Sequence, residues 1–455
     1  MLFSQLYSSF MSSLRWNALL YFLYKILFTA SSILLFTILS VNDFSVWANL
    51  NSLIFLFLLW LDFGFRKSIP RYCPEFKKSG SISSFLYYLV GIQSGILAIT
   101  LPGFMVICSL FFRSLGLSYQ SILLYLCSGI FFVEGINSTV RLFYHAHFWN
   151  KRYTLIQTIF LLGEGIINLI CITLLPLRAL LIALFINKLI VSSCNAAMSL
   201  IMLAYYHKKG FAHQAAVKEH QIPIKEFITH SGMMWVGTSI KSITERNFLV
   251  PFISHVINPA SANLFKLAND WAMLIHRPII KTIGSSDTTL LSHIRSGHYH
   301  SLPLMKVCRK LISTIMLISI PFGCIIPVAS FAMPSTAVVM FLIIICGHII
   351  ETILSPYERV LEVKRNYIYL LVSYIPYVCI LLSTIYYLYL PSSNLLLAIL
   401  FIHAARLSGS CFMAFFAHKT YARSLPITAA TSYHNQEQVC PIKPSHTQPS
   451  QQPHT

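Results

Sequence analysis

Carboxylates are scarce in this chain: 14 Asp and Glu stand against 33 Lys and Arg in 455 residues. Charge of either sign is rare as well, at 10% of residues, where a soluble domain carries about a quarter. A soluble fold of this size could not hydrate its surface with so few charges, so lipid is the solvent its apolar surface needs. Signatures of common chemistries are missing too. There is no glycine-rich phosphate loop ending in Gly-Lys-Ser or Gly-Lys-Thr, no GxSxG and no HExxH, which argues against an ATP-driven pump acting alone. The eleven cysteines are scattered singly from Cys73 to Cys440, with no CxxC pair. That spacing speaks against a zinc site or a disulfide framework, and most are read as small apolar fillers within helices. No metal site is assigned. The first residues lack a short apolar core followed by a small-residue cleavage site, so the first long apolar run is expected to be a retained helix.

Long apolar runs are abundant, and 56% of the residues are hydrophobic. Runs of about 20 residues, enough to cross ~30 Å of hydrocarbon, predict spans at 17–40, 44–65, 84–112, 121–143, 154–175 and 179–205. The second half gives 228–256, 260–282, 307–331, 335–356, 367–390 and 392–418. The expected fold class is therefore all-α integral membrane, with about twelve transmembrane helices. Basic residues supply an independent check. Alternate loops on one side, such as the one holding Arg66, Lys67, Arg71, Lys77 and Lys78, carry 25 Lys and Arg; the other side carries only Arg113 and Arg178. By the positive-inside rule both termini are expected in the cytoplasm. The net charge of +19 is thus mostly topological, and nucleic acid is not an expected partner.

The longest internal loop, 206–227, separates an N-terminal six-helix lobe (1–205) from a C-terminal one (228–418). Shifting the second onto the first by 216 positions sets Lys241 on Lys25 and Asn258 on Asn42, in keeping with a parallel repeat. Residues 419–455 turn to Ser, Thr, Gln, His and Pro, and are expected to be a disordered cytoplasmic tail.

Besides the basic residues counted to the loops and span ends, six remain within the predicted spans: Lys25, Lys188, Lys241, Arg246, Lys266 and Arg406. Each costs roughly 2.5–3.5 kcal/mol at a helix centre, so each is expected to face a watery cavity or a partner. Helical spacing puts Lys25, Thr29 and Ser32 on one face of the first helix, and Thr238, Lys241, Ser242 and Glu245 on one face of the seventh. Lys241 and Glu245 are spaced to pair within that helix. Further stripes join Glu134, Asn137 and Arg141; Gln157, Glu164 and Asn168; and Asn263, Lys266 and Asp270. Glu351 is also intramembrane, while Asp62 is expected at a helix end beside Arg66. Lys25, Lys241, Arg246, Lys188 and Arg406 are the candidate cavity residues for an anionic substrate. Glu134, Glu164 and Glu245 are candidates for ion coupling, and paired structural charges are the competing reading.

The second helix and its following segment read LWLDFGFRKSIPRYCPEF, and the seventh and eighth read ITHSGMMWVGTSIKSITERNFLVPFISHVINPASANLFKLANDW. Together with two six-helix halves they resemble the polysaccharide and O-antigen flippases of the MATE-like (MOP) superfamily, over roughly residues 1–418. The resemblance implies a V-shaped bundle with a central cavity lined largely by the first and seventh helices. It further implies a polyprenyl-diphosphate-linked oligosaccharide as substrate, passed by alternating access across the bacterial inner membrane. Lys25, Lys241 and Arg246 occupy matching places on those helices. No cofactor is implied; the energy source would be membrane potential, protons or sodium, and a polysaccharide polymerase and assembly proteins are candidate partners. Glu245-Arg246 departs from the pattern and leaves room for another substrate or coupling ion. A drug or metabolite antiporter of the same superfamily is the main alternative. A membrane-embedded polymerase or glycosyltransferase is a third reading, weakened by outside loops that are short and almost uncharged.

Overall fold

The computed structural model describes residues 3–78, 82–116, 121–146, 150–211, 224–284, 313, 333–364, 366–390 and 394–421. The ninth expected span, the middle of the central loop and the tail from 422 lie outside the described residues, apart from 313. Within them the chain is all helix and turn. The helices are α1 (Phe3–Ile38), α2 (Val41–Trp60), α3 (Phe65–Lys78), α4 (Ile82–Ser114), α5 (Ser121–Ala146), α6 (Asn150–Leu174) and α7 (Leu177–Phe211). The second half holds α8 (Ile224–Ser242), α9 (Arg246–Val256), α10 (Pro259–Gly284), α11 (Ser335–Val363), α12 (Tyr367–Leu388) and α13 (Leu395–Tyr421).

Eight of these, α2, α4–α7 and α11–α13, are long and apolar enough to cross a bilayer. In α1 the apolar stretch Phe22–Ile38 is shorter, and α8, α9 and α10 carry the polar residues noted above. Large apolar side chains point outward along the long helices, among them Ile99, Ile159, Leu174 and Tyr386, each more than 70% exposed. A water-facing surface does not carry such a coat, whereas lipid favours it. Pro102, Pro356 and Pro376 sit inside α4, α11 and α12, which membrane helices tolerate when neighbours re-satisfy the backbone.

Two expectations need correction. The segment from Arg66 to Lys78 is a helix rather than a loop: Phe65, Ile69, Tyr72, Cys73 and Phe76 recur at helical spacing and are all buried. Arg66, Lys67, Arg71, Lys77 and Lys78 mask that apolar face in the sequence. The expected seventh span, 228–256, is two helices. α8 ends at Ser242, and Glu245 is the N-cap residue of α9. Around the break the amides of Ile243, Thr244 and Glu245 bond carbonyls three residues back (3.0–3.4 Å), a tightened last turn that stops the α-helical ladder.

The two halves of the chain meet along α1–α10, α2–α8, α2–α9, α2–α10 and α3–α8. At the end away from the basic loops, contact is dry. Phe44 and Trp47 of α2, Phe112 of α4, Leu180 of α7, Ile253 of α9, Phe265 of α10 and Phe341 of α11 belong to one buried cluster. Polar pins fix its register: Ser45 donates to Asn263 (3.0 Å), and Asn49 donates to Ser254 (3.1 Å). Towards the other end, Trp235 donates to the Trp60 carbonyl (2.6 Å) and Trp60 to the Ser242 hydroxyl (2.7 Å). The α2–α3 turn passes so close to α8 that a β-carbon at Gly64, whose φ is +78°, would lie 2.1 Å from the Ser231 carbonyl oxygen. Only glycine fits there. Gly64→Ala is therefore expected to cost at least about 2 kcal/mol, visible as a lowered melting midpoint in detergent.

Candidate functional site

Between the halves lies a cavity of about 460 Å³. Its wall runs from Lys25, Lys188 and Arg246 to Arg66, Lys67, Arg141, Arg359 and Tyr367 at the basic-loop end. The structure places all eight sequence-derived candidates on this wall: Lys25, Lys188, Lys241, Arg246 and Arg406, with Glu134, Glu164 and Glu245. They do not form one cluster. Each charge is held by its own neighbours, and those neighbours differ in kind.

The deepest arrangement is built on Asp270 of α10, which is fully buried. It accepts a hydrogen bond from Arg246 at the start of α9, one from Lys266 a turn earlier (2.6 Å) and one from Ser32 of α1 (2.8 Å). Lys266 also donates to Ser32 (3.0 Å) and lies 4.0 Å from the centre of the Trp47 ring. One carboxylate thus ties two cations and three helices together. Lys266 is absent from the cavity wall, whereas Arg246 is on it. Lys25, on the same α1 stripe as Ser32, is 1% exposed, and its ammonium lies 4.3 Å from the Phe28 ring centre.

A second arrangement runs along α11. Lys241 donates to Glu358 (2.6 Å), not to Glu245 as helical spacing had suggested. The break after Ser242 removes the i, i+4 geometry that pair required. Lys67 of α3 donates to Glu362 (2.6 Å), and Arg359 pairs with the same carboxylate (2.9 Å). Arg406 of α13 pairs with Glu351 (2.6 Å) and donates to the Thr244 carbonyl (3.3 Å). Glu358, Arg359 and Glu362 lie beyond the tenth expected span, which stops at 356, and Lys67 falls in an expected loop, so none of the four is among the expected cavity residues. The signal was present: His348, Glu351, Thr352, Ser355, Glu358, Arg359 and Glu362 follow helical spacing, and all line the cavity.

The first-half wall is milder. Lys188 of α7 donates to the neutral amide of Asn51 (2.7 Å) and sits 4.8 Å from the Phe55 ring centre. Glu134 of α5 accepts from Ser192 (2.5 Å). Gln157 of α6 donates to Asn195 of α7, and Asn187 to Asn168 (2.8 Å). Counted over the whole wall, nine side chains are Lys or Arg and six are Glu. Phe55, Tyr24, Tyr153, Tyr374 and several Met and Leu residues fill the spaces between. Such a lining can bind an anionic group while packing against apolar or sugar surfaces. Among the described residues no group of three or more His, Cys, Asp or Glu side chains is placed to hold a metal ion.

No family model matches the chain, and no curated protein sequence matches it. Solved structures do. A MATE transporter from Vibrio cholerae superposes with a TM-score of 0.65, over 93% of this chain and 98% of its own, at 11% identity. A multidrug resistance MATE transporter of the MOP superfamily, in an outward-facing conformation, gives 0.64 over 90% and 96% at 13% identity. A MOP superfamily transporter from Pyrococcus furiosus, described as having a binding pocket of reverse polarity that suggests a different function, gives 0.53 over 90% and 95% at 11% identity. The chain therefore has the MATE-like membrane fold. At such identities the likeness speaks for the fold alone.

Replacing Asp270 by Asn would leave Arg246 and Lys266 buried with no carboxylate between them. Breaking a buried pair in this way costs about 3–5 kcal/mol. The expected outcome is a sharply reduced melting midpoint in detergent, partly restored when Lys266→Met is added.

Proposed function

We propose that this chain is an alternating-access transporter for a phosphate-bearing amphipathic solute, and that the solute is a polyprenyl-diphosphate-linked oligosaccharide. The observation that carries the proposal is the cation excess of the cavity wall, nine Lys and Arg against six Glu. In a region of low dielectric constant, an excess of fixed cations attracts phosphate strongly. Lys188 is the clearest case, since its hydrogen bond goes to a neutral amide. Lys25 and Arg246 line the same cavity, and the tyrosines and Phe55 offer surfaces on which sugars can stack. The lipid tail would remain in the bilayer while the headgroup crosses. The proposal includes the twelve-span, two-lobe arrangement (1–205 and 228–418), both termini in the cytoplasm, and residence in a bacterial inner membrane. A polymerase and assembly proteins would then be natural partners.

A second reading is export of drugs or metabolites. The fold shared with a multidrug resistance transporter favours it, and Glu134, Glu164 and Glu245 would be its contact points for cations. Fold likeness bears more directly on this alternative than on the flippase, while wall charge bears on the flippase. The reverse-polarity pocket described for the Pyrococcus furiosus protein offers a precedent for this fold carrying a cavity of altered charge.

Proteoliposomes separate the two. A fluorescent polyprenyl-diphosphate oligosaccharide should cross faster with the wild-type protein than without it. Losing one charge-assisted contact costs about 1.5–3 kcal/mol, so Lys25→Ala or Lys188→Ala should slow crossing by roughly tenfold or more in protein that still folds and inserts. Unaltered crossing in both variants, together with uptake of organic cations, would favour the second reading.

A further inference from the structure

Three histidines that neither arrangement above uses meet at one place on the cavity wall. His276 of α10 stacks on His348 of α11 with ring centres 4.1 Å apart, and His403 of α13 meets His348 edge-on at 5.2 Å. All three are at most 7% exposed, and all three line the cavity. His348 has no hydrogen-bond partner at either ring nitrogen among the described residues, although it is 2% exposed. A buried polar group left unsatisfied is uncommon and asks for an explanation. The packing around it is specific: a β-carbon at Gly347 would lie 2.5 Å from Nδ1 of His403, so glycine at this position is what lets the third imidazole approach.

We propose that His348, held between His276 and His403, is a proton-binding site that controls the grip of Arg406 on the break between α8 and α9. Imidazole is the side chain whose ordinary charge change falls between pH 5 and 8. It is a poor ligand for sodium, which prefers oxygen as hard cations do, and no metal-holding group is present among the described residues. A hydronium ion in the cavity gives its proton to a ring nitrogen of His348 and leaves as water. Two adjacent imidazolium ions would repel, so the stacked pair takes one proton at a time.

The charges facing His348 come from every neighbouring element. On its own helix, Glu351 lies 3.8 Å from Nδ1. From α10 comes His276, and from α13 come His403 and Arg406. Glu245, at the α8–α9 break, lines the same cavity wall, and from α12 the Tyr377 hydroxyl reaches that break, 2.6 Å from that of Thr244. Glu351 is the shared partner: Arg406 holds it at 2.6 Å, and a protonated His348 would compete for it. Arg406 also donates to the Thr244 carbonyl, and Tyr377 to the carbonyls of Ile240 and Lys241 (3.3 Å each). The Arg406 contact satisfies the Thr244 carbonyl, which the broken helix leaves free, while the Ile240 and Lys241 carbonyls also accept from the amides three residues on. Loosening Arg406 from Glu351 therefore changes what holds α8 at its angle to α9. α8 also carries Lys241 and packs on α2 and α3, so its angle bears on the shape of the cavity.

As a coupling device this site rests on the transport reading; as a proton-binding site it does not. The test accordingly uses no substrate. Nitroxide labels at Tyr87→Cys on α4 and Ile368→Cys on α12, both exposed, are placed in a background with the native cysteines replaced, in lipid nanodiscs. Double electron–electron resonance then follows their separation from pH 8.5 to 5. The expected result is a shift between two distance populations with a midpoint between pH 5 and 8. It should vanish in His348→Gln and persist in His255→Gln, which lies away from the cavity. The double variant Glu351→Gln/Arg406→Gln leaves no charge of that pair exposed to a missing partner, and it should abolish the shift even if His348→Gln folds poorly. A shift that persists in either folded variant, or no shift in the parent protein, overturns the proposal. Failed oligosaccharide crossing with the pH response intact would count against the flippase reading alone.

Discussion

A charge buried between these helices has no lipid headgroup and little water to solvate it, and so is held by a counter-charge or a polar group, on its own helix or a neighbouring one. Asp270 shows how much follows from that requirement. Its single carboxylate answers Arg246 and Lys266 and takes a hydrogen bond from Ser32, which fixes α1, α9 and α10 relative to one another. Apolar side chains slide past each other at small cost in a bilayer, where helix association has no strong hydrophobic drive. Ion pairs with one geometry do not. Lys67–Glu362, Lys241–Glu358 and Arg406–Glu351 repeat the principle along α11, and the first of them joins the two halves of the chain.

The same requirement divides the molecule along its length. At the end away from the basic loops, Phe44, Trp47, Phe112 and Phe265 share a dry core with few charges. Toward the basic loops the facing surfaces are polar and stand apart, leaving the cavity. A membrane protein that moves a charged solute needs such an asymmetry, with one end sealed while the other admits water. The broken helix α8–α9 sits between these regions. The carbonyl freed there, that of Thr244, is met by Arg406 rather than by lipid, as irregular backbone in a membrane requires.

The sequence made the apolar spans easy to read, because runs of 20 residues leave few alternatives. It also marked the cavity candidates, since a lysine or arginine in such a run is conspicuous by its cost. Its failures have physical causes. The basic residues of α3 concealed a buried face at Phe65, Ile69 and Tyr72. The tenth expected span stops at 356, whereas the helix runs on to Val363 and carries the Glu358–Glu362 wall beyond that limit. The partner of Lys241 could not be inferred from local spacing, because it depends on a helix break and on a residue 117 positions away. Only the folded chain brings His276, His348 and His403 together.

Cavity charge is the central issue, and equilibrium binding reads it without any need for turnover. Native mass spectrometry of the wild-type protein, offered polyprenyl diphosphate, the matching neutral polyprenol and a lipophilic organic cation in parallel, would rank the three directly. Binding of the diphosphate well above the polyprenol, weakened by added salt and by Lys188→Ala, is the result expected of a cationic headgroup site. Preference for the organic cation, with the diphosphate no better than the polyprenol, would contradict it.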